Sequence, residues 1–149
     1  MQLRIEQDRT LTDIHVLIRY AEQNRMLRRL VTTFESLGER IEARTDSQTV
    51  MLSVVDILYF ESVDKRTFAY SQDQVYQVSD RLYQVKARLE RLGFVQVSKA
   101  CLLNINMLET IRSVGNSRME AVLANGEKVS VSRRYIPEIK SAIQGRQEW

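Results

Sequence analysis

From residue 50 onward apolar side chains recur at every second position in short runs, a pattern that commits most of the chain to antiparallel strands. Val50, Leu52 and Val54 alternate with polar neighbours, and Tyr59, Glu61 and Val63 alternate with Phe60 and Ser62. A period of two sends successive side chains to opposite faces of a sheet, which a helix cannot use. Turn-forming residues divide the runs. Asp64–Arg66 separates Ile57–Val63 from Thr67–Ser71, and Gln72-Asp73 turns the chain into Val75–Val78. Phe94–Ser98 is a further strand. Leu108–Val114, Arg118–Leu123 and Lys128–Ser132 read as a meander turning at Gly115-Asn116 and Asn125-Gly126. Asn-Gly is a strong hairpin signal because both positions tolerate positive φ.

Helical spacing breaks this pattern twice. In SDRLYQVKARLERLG, Leu82, Val85, Leu89 and Leu92 form one stripe, Ser79 or Asp80 is the expected cap, and Gly93 ends the helix. Near the C-terminus Ile136, Ile139, Ala142 and Ile143 share a side, and Pro137 must lie in the first turn because it has no N–H to donate.

The first 44 residues read differently. Leu3 and Ile5, then Ile14, Val16, Ile18 and Tyr20, alternate and predict two short strands around a turn at Asp8-Arg9-Thr10. Met26, Leu27, Leu30, Val31, Phe34 and Leu37 predict an amphipathic helix stopped by a left-handed Gly38. Arg25, Arg28 and Arg29 occupy its other face, which reads as a solvated face before it reads as a contact for DNA or membrane. The polar stretch RTDSQT marks a boundary. The expected division is an extension over 1–44 and a domain over 45–149.

Composition excludes several classes. No window approaches the ~18–20 apolar residues of a membrane span, and the charged start MQLRIEQDRT is no signal peptide. The single cysteine, Cys101, cannot pair internally, which fits a reducing cytoplasm. Flanked by Leu102 and Leu103, it reads as core packing. His15 is the only histidine and lies far along the chain from Cys101, so no nucleophile–base pair is apparent. No cluster of ligands suits a metal, and no Gly-rich loop suits a phosphate cofactor. The expectation is a protein without catalysis, cofactor or small-molecule substrate.

What remains is the placement of cations. Eight cationic and eight acidic side chains fall in residues 1–46, so the whole formal charge of +3 lies in the rest. There, Lys65 and Arg66 sit at a hairpin tip, Lys99 follows a strand, and Arg133-Arg134 stand where a strand yields to a helix. Connections project long side chains outward. Loops carrying Lys and Arg can neutralise phosphates, and arginine can read guanine in two-point geometry.

Three ordered blocks over about one hundred residues carry a family likeness. DILYFESVDKRTFAY, LYQVKARLERLGFVQVSKACLLNINMLETI and LANGEKVSVSRRY resemble successive motifs of the LytTR domain, a DNA-binding output domain of bacterial response regulators. The resemblance implies a mainly β (α+β) fold, an elongated β-sandwich of small sheets with two helices, preceded here by the strand–strand–helix extension. It implies double-stranded DNA as partner, with loops laid into successive major grooves at direct repeats. The first loop maps onto Lys65, Arg66 and Thr67, the second onto Ser98, Lys99 and neighbouring Ala100, the third onto Arg133 and Arg134. Arg118 and Lys128 are candidate phosphate contacts. Ala100, Cys101 and Gln96 depart from residues frequent in the family, which leaves the preferred DNA sequence open.

The expectation is therefore a cytoplasmic, sequence-specific transcriptional regulator. The 44 residues ahead of the match are too few for a receiver domain, so the chain resembles the stand-alone form. Some such regulators are held in check by a membrane-embedded protein. The amphipathic helix suggests homodimerisation through the extension, or a docking place for a regulator. The rival reading is a protein-interaction adaptor that does not bind DNA.

Overall fold

The computed structural model describes residues 1–145; residues 146–149, which the expected second domain includes, lie outside the described residues. After an irregular segment over 1–24 the chain forms α1 (Arg25–Ser36), β1 (Arg40–Arg44), β2 (Thr49–Ser53), β3 (Ile57–Val63), β4 (Arg66–Ser71) and β5 (Val75–Val78). Helix α2 (Leu82–Leu89) leads to β6 (Phe94–Ser98) and β7 (Cys101–Asn104). The meander β8 (Leu108–Ser113), β9 (Met119–Leu123) and β10 (Lys128–Val131) precedes α3 (Ile136–Gly145). One sheet has seven strands in the order β2-β1-β5-β4-β3-β7-β6, and a second has three in the order β10-β9-β8. Every pairing is antiparallel, giving the mainly β architecture that the alternation implies.

The two faces of the large sheet build two cores. Phe60, Ala69, Val78 and Leu102 pack under Val85 and Leu89 of α2. Leu58, Val97, Cys101 and Leu103 face Ala121, Leu123 and Val131 of the small sheet and Ile139 of α3. An irregularity between Ile57 and Tyr59 lets Ile57 and Phe60, three residues apart, point into the same core. Strand β7 lies between β3 and β6 and is buried at all four positions. Such a strand shows no alternation, which is why CLLN gives no strand signal of its own.

Several local expectations change. Residues 1–20 form no strand; Leu3, Ile5, Ile14 and Val16 are exposed, and no sheet edge takes up their alternation. The turn at Asp8 is present, with Thr10 donating twice to the Asp8 carboxylate, at 2.9 and 2.6 Å. RTDSQT is the bend of the β1–β2 hairpin, where Thr45 N–H donates to the Gln48 carbonyl at 2.9 Å. The expected division at 44/45 thus falls inside a hairpin. Neither Ser79 nor Asp80 caps α2: Arg81 is its first flanking residue, and Gln84 Oε1 accepts from the Arg81 N–H at 2.8 Å. Asp80 pairs with Arg88 instead, at 3.2 Å. Of Asn125-Gly126, only Gly126 takes positive φ, at 87°, so the β9–β10 hairpin is wider than a two-residue turn. Gly38 is not left-handed; Gly93, at φ 94°, does end the segment after α2.

Helix α1 turns an unexpected side inward. Leu27, Thr32 and Ser36 are buried, while Met26, Phe34 and Leu37 stay 54%, 44% and 57% exposed. The small side chains allow a close approach to the sheet's end, and the bulky apolar stripe faces out. Arg25 Nη2 donates to the Leu108 carbonyl at 3.3 Å, and Arg28 Nη1 donates to the Ile143 carbonyl at 3.2 Å. These bonds fix the helix at the end of the sheet where β7 hands over to β8.

Candidate nucleic-acid interface

The first basic turn is a two-residue reversal. Val63 pairs with Arg66, leaving Asp64 and Lys65 at the tip with φ of 51° and 64°. Both are left-handed, the geometry that matches the twist of a tight hairpin and that Gly or Asn would adopt with less strain. Lys65 and Arg66 are exposed, and Arg66 opens β4 rather than sitting in the turn. Thr67, by contrast, is only 2% exposed, paired to Ser62 on one side and Val78 on the other. It supports the tip from below, a different setting from that of the exposed Lys65 and Arg66 with which the family motif groups it.

The second turn follows β6. Ser98 Oγ accepts from the Ala100 N–H at 3.3 Å, so Ser98 shapes the turn while Lys99 stands exposed. Gln96 Nε2 reaches the Lys99 carbonyl at 3.4 Å, and its Oε1 accepts from Lys86 Nζ at 3.2 Å. Lys86 also pairs with Glu138 of α3 at 3.3 Å. A polar chain therefore joins α3, α2 and β6 to the turn. The first and second turns are tied directly, because Ser62 N–H donates to the Ala100 carbonyl at 2.8 Å.

The third basic segment joins the same end. Ser132 N–H donates to the Val97 carbonyl at 2.8 Å, placing the Arg133–Tyr135 turn of 3-10 helix beside the end of β6. Arg133 is exposed, and the Arg134 guanidinium lies 5.8 Å from the centre of the Tyr135 ring. Val131 pairs with Met119 and Met119 with Ser113, so the β8–β9 turn carrying Arg118 projects from the Ser132 end of the small sheet. Lys128 begins β10 and lies at the other end of that strand. Arg118 thus joins the basic end and Lys128 does not.

Two cations escaped the sequence reading. Arg44 of β1 and Arg81 line a cleft of about 210 Å3 together with Lys65 and Arg66. Strand order brings them there, since β1 pairs with β5 and β5 with β4. Proximity of that kind leaves no mark in the sequence. Among the described residues, Lys65, Arg66, Lys99 and Arg133 take part in no ion pair. The three turns set five cations against the single carboxylate of Asp64, so this end of the molecule is electropositive and its charges are free to meet an anion.

Beneath the first tip Tyr59 and Tyr70 stack with ring centres 4.3 Å apart. Burial pushes both phenols up, with Glu127 adding to the effect at Tyr59 and Glu61 at Tyr70. Burial, with Glu61 beside it, pushes the Cys101 thiol up to about 12. A thiol held protonated in this way is a packing residue and a poor nucleophile. Among the described residues no cluster of His, Cys, Asp or Glu could hold a metal, and no helix is long and apolar enough to cross a membrane.

A family described as LytTr DNA-binding domain matches residues 47–144. The Sensory transduction protein LytT of Bacillus cereus is 27% identical over 99 residues, covering 66% of this chain and 40% of that protein. The LytT protein of Enterococcus faecalis is 28% identical over 107 residues, covering 71% and 44%. The chain thus spans about two fifths of the length of these relatives. A Staphylococcus aureus protein named as an HTH-type transcriptional regulator is 24% identical over 98 residues, with 66% of each chain covered. A solved LytTr DNA-binding domain of a Bacillus cereus response regulator superposes with a TM-score of 0.66 at 19% identity, covering 70% of this chain and 95% of that one. The likeness to that structure is one of fold.

Proposed function

Because the chain belongs to the LytTR DNA-binding domain family, we propose that it is a sequence-specific transcriptional regulator that reads promoter direct repeats with its three basic turns in the major groove. The observation that carries this reading is the pair of backbone bonds, Ser62 to Ala100 and Ser132 to Val97, which gather cations distant in sequence onto one end. Lys65, Arg66, Lys99, Arg133 and Arg134 are the side chains proposed to meet DNA, with Arg118, Arg44 and Arg81 on flanking phosphates. Thr67 and Ser98 shape the turns. Arg133→Ala should cost ~1–3 kcal/mol of binding and relax preference at one base pair. Titrations of wild type and variant against repeat-bearing and scrambled duplexes test this; an Arg133→Ala protein with unchanged affinity and preference would refute it.

The apolar stripe of Met26, Phe34 and Leu37 supports assembly through α1, as a homodimer, at the end away from the basic turns. Phe34→Glu should leave the domain folded and shift it to monomer in sedimentation; an unchanged oligomer would exclude this face. The same stripe favours a second reading, docking of a regulatory protein, including a membrane-embedded one. Cytoplasmic location follows from a DNA partner. An adaptor that does not bind DNA would show no salt-dependent duplex binding at all.

A further inference from the structure

We propose that the cleft between α1 and the start of β8 binds a small organic phosphate of nucleotide size, as an effector site separate from the basic turns. The cleft encloses about 770 Å3, within the ~300–1,000 Å3 common to small-ligand sites. Arg25, Arg28 and Arg29 line one side, and Leu108, Ile111 and Ile143 supply apolar surface on the other. Against three guanidinium groups stands one carboxylate, Glu109.

The arginines are arranged for an anion rather than spent on one another. Arg25 gives an N–H to the Leu108 carbonyl, and Arg28 gives Nη1 to the Ile143 carbonyl and Nε to the Asn24 carbonyl at 3.4 Å, which fixes the direction of both and leaves each guanidinium further N–H donors. Among the described residues Arg29 has neither a side-chain hydrogen bond nor an ion pair, although it faces the cleft. Planar guanidinium forks match phosphate oxygens in two-point geometry. The backbone at the start of α1 is not the attraction, because Asn24 already caps it by accepting from the Leu27 N–H at 2.9 Å. An aliphatic wall opposite the cations suits a phosphate carried on a planar or apolar body better than a bare ion. The site is also remote from DNA contacts: Cys101, at one end of β7, pairs beside the second turn, whereas Asn104, at the other, leads to Ile105 in the cleft.

Calorimetric titration of the full chain with the common ribonucleoside diphosphates, and with inorganic pyrophosphate, tests the proposal. Saturable binding is expected for at least one nucleotide, tighter than for pyrophosphate. Arg29→Gln, which breaks no bond in the fold, should weaken it by about tenfold, the equivalent of one charge-assisted hydrogen bond. Arg133→Ala should leave it unchanged. Absence of saturable nucleotide binding, equal binding of pyrophosphate, or loss in Arg133→Ala with Arg29→Gln unaffected would each overturn it.

Discussion

Ser62 donates its backbone N–H to the carbonyl oxygen of Ala100 at 2.8 Å, so the first and second basic turns share a hydrogen bond across the β3–β7 pair. The position of Lys99 is then set by that bond, by Ser98 Oγ accepting from the Ala100 N–H at 3.3 Å, and by the reach of Gln96 to the Lys99 carbonyl at 3.4 Å. Gln96→Ala removes the last, together with the bond from Lys86 Nζ. It should lower stability by ~0.5–1.5 kcal/mol for each hydrogen bond lost, and weaken duplex binding while Lys86 keeps Glu138 as its partner. Urea denaturation and a duplex titration read the two effects; undiminished affinity would mean that Lys99 needs no support from Gln96.

At Lys65 stability and binding should move in opposite directions. A left-handed φ of 64° on a residue with a Cβ carries a penalty of ~1 kcal/mol that glycine does not. Lys65→Gly should therefore raise the unfolding midpoint and, with one phosphate contact gone, reduce the slope of log affinity against log salt by ~0.9. A variant that gains stability and keeps the full salt slope would remove Lys65 from the interface.

Arg44→Gln and Arg81→Gln address the cleft beside the first tip. Each should lower affinity equally for repeat-bearing and scrambled duplexes and reduce the salt slope by ~0.9, because a phosphate contact carries no sequence information. A change in base preference would instead place these side chains in the groove, and an unchanged slope would place them outside the interface.

Alkaline pH should destabilise the fold through Cys101. Its thiol is raised from 9.0 to about 12 by burial and then by Glu61. Between those values the unfolded thiol has lost its proton and the folded one has kept it. The folded state binds more protons there, so stability is full below about 9 and falls as pH rises toward about 12. Tyr59 and Tyr70, raised mainly by burial, add to the fall at its upper end. Cys101→Val should flatten the dependence of the urea midpoint on alkaline pH relative to wild type. An equally steep fall in the variant would assign the effect to the tyrosines alone.

How much of this could be read from the chain depends on whether a segment's signal is local. The alternation of Ile57–Val63 and Val75–Val78 gives both strands with their bounds, because turn residues mark their ends. The same alternation at Ile14–Tyr20 misleads, since a strand needs a neighbour with open hydrogen-bonding groups and none is offered there. In α1 the spacing gives the helix but not its orientation: Thr32 and Ser36 go inward because they are small, and the larger side chains are left outside. For the interface, the tips at Lys65, Lys99 and Arg133 are legible as basic connections. Their convergence, and the arrival of Arg44 and Arg81, follow from strand order, which no single segment encodes. The burial of Thr67 is also a tertiary fact, since β5 covers a residue that stands next to an exposed tip.

The tie at Ser62 joins β3 to the turn before β7, and the tie at Ser132 joins the end of the small sheet to β6 of the large one, so the separation of the three tips is held by backbone bonds and not by the reach of loop side chains. Such a surface cannot stretch to follow a longer target. If the tips read DNA, one extra base pair between the bases they touch shifts the rest by ~3.4 Å along the helix axis and rotates them about it. One group of contacts must then be given up. The protein would measure distance and helical phase along its operator as strictly as it reads the bases, and an insertion that preserved every contacted base would still lose affinity.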